Sequence, residues 1–369
     1  MARTDKDVGA KSQALRFCVS SGLIPFLEVD VSSGVELSPS PKRLTDIDVL
    51  GLALRSDGTI SRVLFDCKST GGPPFARALW LSGLMAFTGG QEGFMLMGRP
   101  AERAHRLAAR KLNVRIFGTD TFDSYATASS AEYKILRSYA GDIENWHRVY
   151  EGALKNPAIL SIYKSVNAEI PLCSDAPKAF RRLVAQCREF KGELNPVKPL
   201  HMAAFTEIVL SISLLMNMMS ADLRNIVDLE EAERDFAATL RYYLWGGHEN
   251  ITTLKKIHDL ISATGDEVEQ ESALVAWPNF VQLTRVLLDS PTQIRHACFT
   301  LRELSLRYLA DADKAADIRL GRQLLAPRAR QFAKRIGAYT AAALKLPHDF
   351  TQELDKQIDS LVTMAEQAS

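Results

Sequence analysis

The sequence predicts an α/β N-terminal domain, a mixed sheet flanked by helices, followed by a larger all-α domain. Three observations lead there. Strand and helix signals alternate from the N-terminus to Phe117. An Asp57-Gly58 pair stands between two apolar runs, a hairpin signal because glycine supplies the positive φ of a tight turn. From about Ser130 no segment sustains a period of two, while 3.6-residue periodicity recurs. The expected domains are residues 1–125 and 126–369, and 369 residues are enough for two cores. With 46% hydrophobic and 24% charged residues the chain is neither disordered nor fibrous. A net charge of +1 gives no whole-molecule field, so any contact with nucleic acid must come from local patches.

In order, Asp7–Ser20 reads as a helix stopped by Gly22, with Val8, Leu15, Cys18 and Val19 on its apolar face. Phe26–Val31 alternates as a half-buried strand does. Leu44–Leu54 and Ile60–Cys67 are the arms of the hairpin. A Gly-Pro loop from Ser69 to Pro74, expected to be mobile, leads into a helix over Phe75–Phe87. Gly93–Met97 is a strand, Pro100–Leu112 a surface helix and Val114–Phe117 a last strand. Helices between successive strands imply crossover connections and a mixed sheet. Beyond, helices are expected at Ala176–Phe190, Pro199–Met219, Glu230–Leu244, Ile251–Ala263, Phe280–Leu288, Thr292–Ala310, Lys314–Leu325, Arg328–Leu344 and Asp349–Glu366, with no fixed repeat period. The run Ile208–Met219, broken by Ser211, Ser213 and Asn217, reads as a buried helix of a soluble protein rather than a membrane span.

The sharpest chemical signal pairs Thr45-Asp46-Ile47-Asp48-Val49-Leu50-Gly51 with Asp66-Cys67-Lys68. Residues two apart on a strand share a face, so Asp66 and Lys68 project together. A hairpin centred on Asp57 sets Asp48 opposite Asp66. Facing carboxylates repel unless a cation lies between them, and oxygen donors with water suit Mg²⁺. Lys68 on the same face is placed to orient a metal-bound water or to stabilise charge developing on a phosphorane.

At these residues the chain resembles the PD-(D/E)xK nuclease superfamily, the restriction-endonuclease-like fold. Asp48 matches the acid of the second core strand, and Asp66 and Lys68 match the D/E-x-K tripeptide of the third. The apolar approach Val63-Leu64-Phe65, the segment Trp80-Leu81-Ser82-Gly83, the strand at Gly93–Met97 and the basic helix after it extend the likeness over roughly residues 5–123. It implies an Mg²⁺- or Mn²⁺-dependent endonuclease acting on DNA. Asp48, Asp66 and the Cys67 carbonyl would be metal ligands, and Lys68 would activate water. A homodimer is implied as well, because two monomers are commonly needed to cut both strands. The arrangement looks like a component of a bacterial antiphage or restriction-type system. Many members carry a third acid on the first helix; that position here is Lys11, with Gln13 nearby, and Glu28 is the candidate substitute. Hence the alternative reading of a catalytically weakened module for nucleic-acid binding or assembly. The helical domain is expected to bind substrate, dimerise or dock a partner protein.

Arg99, Arg103, Arg106 and Arg110 recur at helical spacing and form one candidate nucleic-acid stripe. Arg328, Arg330 and Lys334 lie in a second, a stretch without acids from Arg319 to His348. Arg241 and His248 show the Arg-x6-His spacing that resembles the helical HEPN ribonucleases, which cut RNA without metal, although Gly246-Gly247 would end the helix before His248. The five cysteines are scattered, form no CxxC pair and suit reduced thiols in the cytoplasm. No His-x3-His or His-Glu-x-x-His spacing and no Walker A motif occurs.

Overall fold

An antiparallel meander opens the sheet and two parallel strands complete it. The computed structural model describes residues 6–33, 42–68, 72–253, 256 and 276–368. Helix α1 (Val8–Ser20) leads into β1 (Ile24–Ser32), β2 (Arg43–Leu54) and β3 (Ile60–Lys68); then come α2 (Pro74–Thr88), β4 (Glu92–Met97), α3 (Arg103–Arg110), β5 (Val114–Gly118) and α4 (Thr119–Ser129). The strands lie in chain order. β1–β2 and β2–β3 are antiparallel; β3–β4 and β4–β5 are parallel, joined by α2 and α3. The N-terminal region is thus a mixed five-stranded sheet with flanking helices.

The hairpin closes as its sequence predicts. Arg55 N–H donates to Thr59 O at 2.9 Å, Asp57 Oδ1 accepts from Thr59 N–H at 2.9 Å, and Gly58 takes φ +87°. A side chain at Gly58 would be strained and would also meet Ala221. Gly51 matters for a different reason. A Cβ there would sit 2.9 Å from Leu23 and 3.0 Å from the Cys18 sulfur, so its absence lets the end of α1 lie close on β2.

Aromatic packing sets which face is which. Phe17 of α1 and Phe122 of α4 meet Phe65 and Phe94 on one side of the sheet, where Phe65 and Phe94 stack at 4.9 Å. On the other side α2 lies against the sheet, Leu81 and Met85 filling the space that a Cβ on Gly93 would need. Asp66 follows Phe65, so alternation turns it toward α2.

Among the described residues the remainder is mainly helical. Helices α5 (Ile143–Leu154) and α6 (Pro157–Lys164), which periodicity alone does not single out, have local start signals in Asp142 and Asn156-Pro157. The Asp142 and Asn156 side chains both accept from amides of the first turn. The helix Pro199–Leu223 is long and apolar enough to cross a membrane, but 89% of its most apolar window is buried inside the protein. It is packed by Ala176–Glu189, Ile294–Arg307 and Pro327–Ala343. The surface helix expected at Pro100–Leu112 spans only Arg103–Arg110, because Glu102, at φ −58° and ψ 151°, is not helical. Most of the helix expected at Ile251–Ala263 and the start of the Ser69–Pro74 loop lie outside the described residues.

Helical region and sheet share buried contacts. Asn167 Nδ2 donates to Leu27 O at 2.9 Å, and Asn217 Nδ2 to Gly58 O at 2.7 Å. The Arg302 guanidinium lies 4.2 Å from the Phe26 ring centroid and 4.9 Å from that of Trp146, and donates to Glu207, which also accepts from Ser305 Oγ. Burial pulls the Arg302 pKa down, and the Glu207 carboxylate opposes that. Removing one member of such a pair strands a buried charge at a cost of about 3–5 kcal/mol. Glu207→Ala should therefore lower the urea-unfolding free energy by about that much, and Glu207→Leu combined with Arg302→Met should recover most of it. A loss under about 1 kcal/mol would show the pair to be dispensable.

Candidate functional site

The β2–β3 ladder runs from Leu54–Ile60 to Val49–Phe65, the register that sets Asp48 opposite Asp66. Pairing ends there. β2 continues to Arg43 on the β1 side and β3 to Lys68 on the β4 side, so the sheet forks between them. The Cys67 N–H, which a further rung would have paired with β2 backbone, donates instead to Asp48 Oδ2 at 2.8 Å. The Lys68 carbonyl accepts from Gly98 N–H at 3.0 Å, on the β4 side. Carbonyl direction alternates along a strand, so the Cys67 carbonyl points into the fork.

The fork gathers charge. Asp48 and Asp66 are buried, at 6% and 5% exposure. Lys68 Nζ lies 3.6 Å from Asp48 Oδ1 and 3.7 Å from Asp7 Oδ2. Lys11, reaching in from α1, sits 2.7 Å from Glu28 Oε1 and 3.8 Å from Asp48 Oδ1. Arg77, in the first turns of α2, grips Asp66 through Nε and Nη2, each 2.6 Å from a different carboxylate oxygen. Asp7, Glu28, Asp48 and Asp66 thus meet Lys11, Lys68 and Arg77 at the fork. Burial pushes the Asp48 pKa up to about 6, against the Cys67 amide and Lys68, which both favour the anion.

Glu28 is held at φ +51°, where a residue with a Cβ is strained. Its neighbours Leu27 and Val29 pair with Val49 and Ile47, which sets Glu28 beside Asp48 in register. The candidate substitute for the helix acid therefore does come to the site, with Lys11 between it and Asp48. Gln13 points elsewhere, donating to Thr119 O and Asp123.

The oxygens at the fork fit a hard cation in kind: two carboxylates and the Cys67 carbonyl, with water completing the shell. Mg²⁺ is commonly held by one or two carboxylates and several waters. Among the described residues no group of three or more His, Cys, Asp or Glu side chains gathers for a metal, so a cation here would need that mixed set. The Asp48 carboxyl, hard to ionise where it is, would gain from one.

The structure thus brings together Asp48, Asp66, Cys67 and Lys68, and adds Asp7, Lys11 and Arg77. Arg77 had no sequence signal, since its reach to Asp66 depends on how α2 is laid against the sheet. Arg103, Arg106 and Arg110 are exposed on α3; Arg99 is exposed too, but lies before the helix, one residue past the Gly98 amide bonded to Lys68. On the helix Pro327–Ala343, Arg328 is exposed and Arg330 half-buried. Lys334 is engaged by both oxygens of Asp359, and Arg319 by Glu303, acids supplied by other helices. Arg241 lies over Trp277. The helix bearing it ends at Trp245, where Gly246 takes φ +78°, so His248 falls beyond its end. All five cysteines are free thiols.

The raised Asp48 pKa carries a stability consequence with a definite sign. A carboxyl whose folded pKa of about 6 exceeds its ordinary value of 3.8 binds its proton more tightly in the folded state. Its ionisation therefore costs stability, increasingly as pH rises from 3.8 to about 6 and in full above that. At pH 7.5 the cost is about 3 kcal/mol at most. Asp48→Asn, whose amide oxygen can still accept from Cys67, should unfold at higher urea than wild type at pH 7.5 and match it near pH 4. Equal stability at both pH values would refute strain at Asp48.

Compared with family models, with curated proteins and with solved structures, the chain gives no match.

Proposed function

We propose that the N-terminal domain is a PD-(D/E)xK, restriction-endonuclease-like nuclease that hydrolyses DNA phosphodiester bonds with Mg²⁺ or Mn²⁺. The observation that carries this reading is the fork, with Lys68 Nζ 3.6 Å from Asp48 and Asp66 on the same strand two residues before Lys68. Asp48, Asp66 and the Cys67 carbonyl would hold the cation. Bound there, it would polarise a phosphoryl oxygen and acidify a water. Lys68, with Asp7 and Asp48 as its anionic neighbours, would orient the attacking water and offset charge on the phosphorane oxygens. Arg99, Arg103, Arg106 and Arg110, near the same end of the domain or on α3, would contact the DNA backbone. The helical region would bind substrate, join two copies or dock a partner protein.

A second reading, a nuclease-fold module that binds nucleic acid without cutting it, is favoured by one observation. Lys11 stands where many members of the superfamily carry an acid, and its ammonium lies 3.8 Å from Asp48.

Supercoiled plasmid incubated with Mg²⁺ separates the two. Nicking by wild type, lowered roughly 100-fold or more in both Asp66→Ala and Lys68→Ala and abolished by EDTA, supports the nuclease. Intact DNA throughout, with the plasmid still bound, moves the assignment to the second reading.

A further inference from the structure

The Asp66–Arg77 pair bears on how a cation would enter the fork. Asp66 is the most constrained acid there. It is buried, and each of its two oxygens is 2.6 Å from a different nitrogen of one guanidinium. Such a bidentate, charge-assisted pair is among the stronger polar contacts a protein makes. A divalent ion that takes an Asp66 oxygen in its inner shell competes with that guanidinium, whose donors fill one lone pair of each oxygen and whose positive charge repels the ion. Arg77 sits on α2 rather than on the sheet, it is partly exposed, and its guanidinium lies 4.9 Å from the ring centroid of the half-exposed Trp80, so it has a place to go at the surface. Lys68, by contrast, is fixed to the strand that carries Asp66.

We propose that Arg77 is a resident cation on Asp66, one that a divalent metal displaces. Arg77 then sets the metal affinity of the fork, and its freed guanidinium becomes a donor for a phosphate oxygen. This rests on the nuclease reading and adds to it a residue that couples metal entry to substrate contact. In the absence of metal, Arg77 keeps Asp66 paired inside the domain. When metal is bound, a second positive charge is released at the mouth of the fork, where a phosphate is expected. The planar guanidinium suits two oxygens of one phosphate in the way it suits two oxygens of one carboxylate.

Calorimetric titration with Mg²⁺ on the full chain tests this without reference to cleavage. Arg77→Gln should bind Mg²⁺ about ten- to hundredfold more tightly than wild type, the worth of one charged hydrogen-bonded contact. Arg77→Lys, which keeps the charge but not the fork of donors, should fall between. Asp66→Asn should lose binding in either background. Tryptophan emission gives a second readout: Mg²⁺ should change it in wild type as Arg77 leaves Trp80, and should not in Trp80→Phe. Circular dichroism checks that each variant is folded. Equal or weaker binding by Arg77→Gln, with wild type still binding, overturns the role of Arg77 and leaves the metal site standing. Saturating Mg²⁺ with no change in emission overturns that role in the same way. Failure of all the proteins to bind Mg²⁺ overturns the metal site and this assignment together.

Discussion

A single hydrogen bond, from the Cys67 amide to the Asp48 carboxylate, decides the geometry of the fork. Had that amide found a backbone carbonyl on β2, the hairpin would have zipped one rung further. Asp48 and Asp66 would then have stood as a repelling cross-strand pair on a flat surface. With a side-chain oxygen as acceptor, the amide is satisfied while the strands part, each kept in place by its other neighbour: β2 by β1, and β3 by β4. The opening gives Lys11 access from α1, Arg77 access from α2, and the Cys67 carbonyl a direction into the gap.

The electrostatics follow from that opening. Buried carboxylates need cations or amides, and the fold supplies them from several elements: Lys11 from α1, Lys68 and the Cys67 amide from β3, Arg77 from α2, with Glu28 on β1 engaging Lys11 in turn. Burial outweighs that supply at Asp48, whose pKa stays raised. Sites in which acids are held dry with shifted pKa values are where proteins keep reactive or ion-binding groups. The strained backbone at Glu28 belongs to the same place.

The helical region steadies this architecture from behind. It holds the hairpin tip through Asn217 and Gly58, the middle of β1 through Asn167 and Leu27, and the start of β3 through Arg62, whose guanidinium donates to the carbonyls of Pro171 and Cys173 at 2.8 Å each. Arg302, sandwiched between the buried rings of Phe26 and Trp146, joins the two regions in the interior. The sheet that bears the candidate site therefore leans on the helices rather than standing apart from them.

Local pattern was enough for the elements and for part of the site. The Asp57-Gly58 turn fixes a register, and that register places Asp48 opposite Asp66 whatever surrounds them, because hairpin pairing is set by loop length and side chains alternate with period two. The strands, α1, α2 and most of the later helices follow from periodicity for the same reason: each depends on neighbours in sequence. Helices α5 and α6 carried their signals in caps rather than in periodicity. What no local pattern held is the company those acids keep. Lys11 and Arg77 lie 37 and 11 residues from Asp48 and Asp66 respectively, and Asp359 and Glu303 answer Lys334 and Arg319 from other helices. Those pairings exist only once helices are laid on the sheet and on each other, because a charge buried by packing takes whichever opposite charge packing brings within reach.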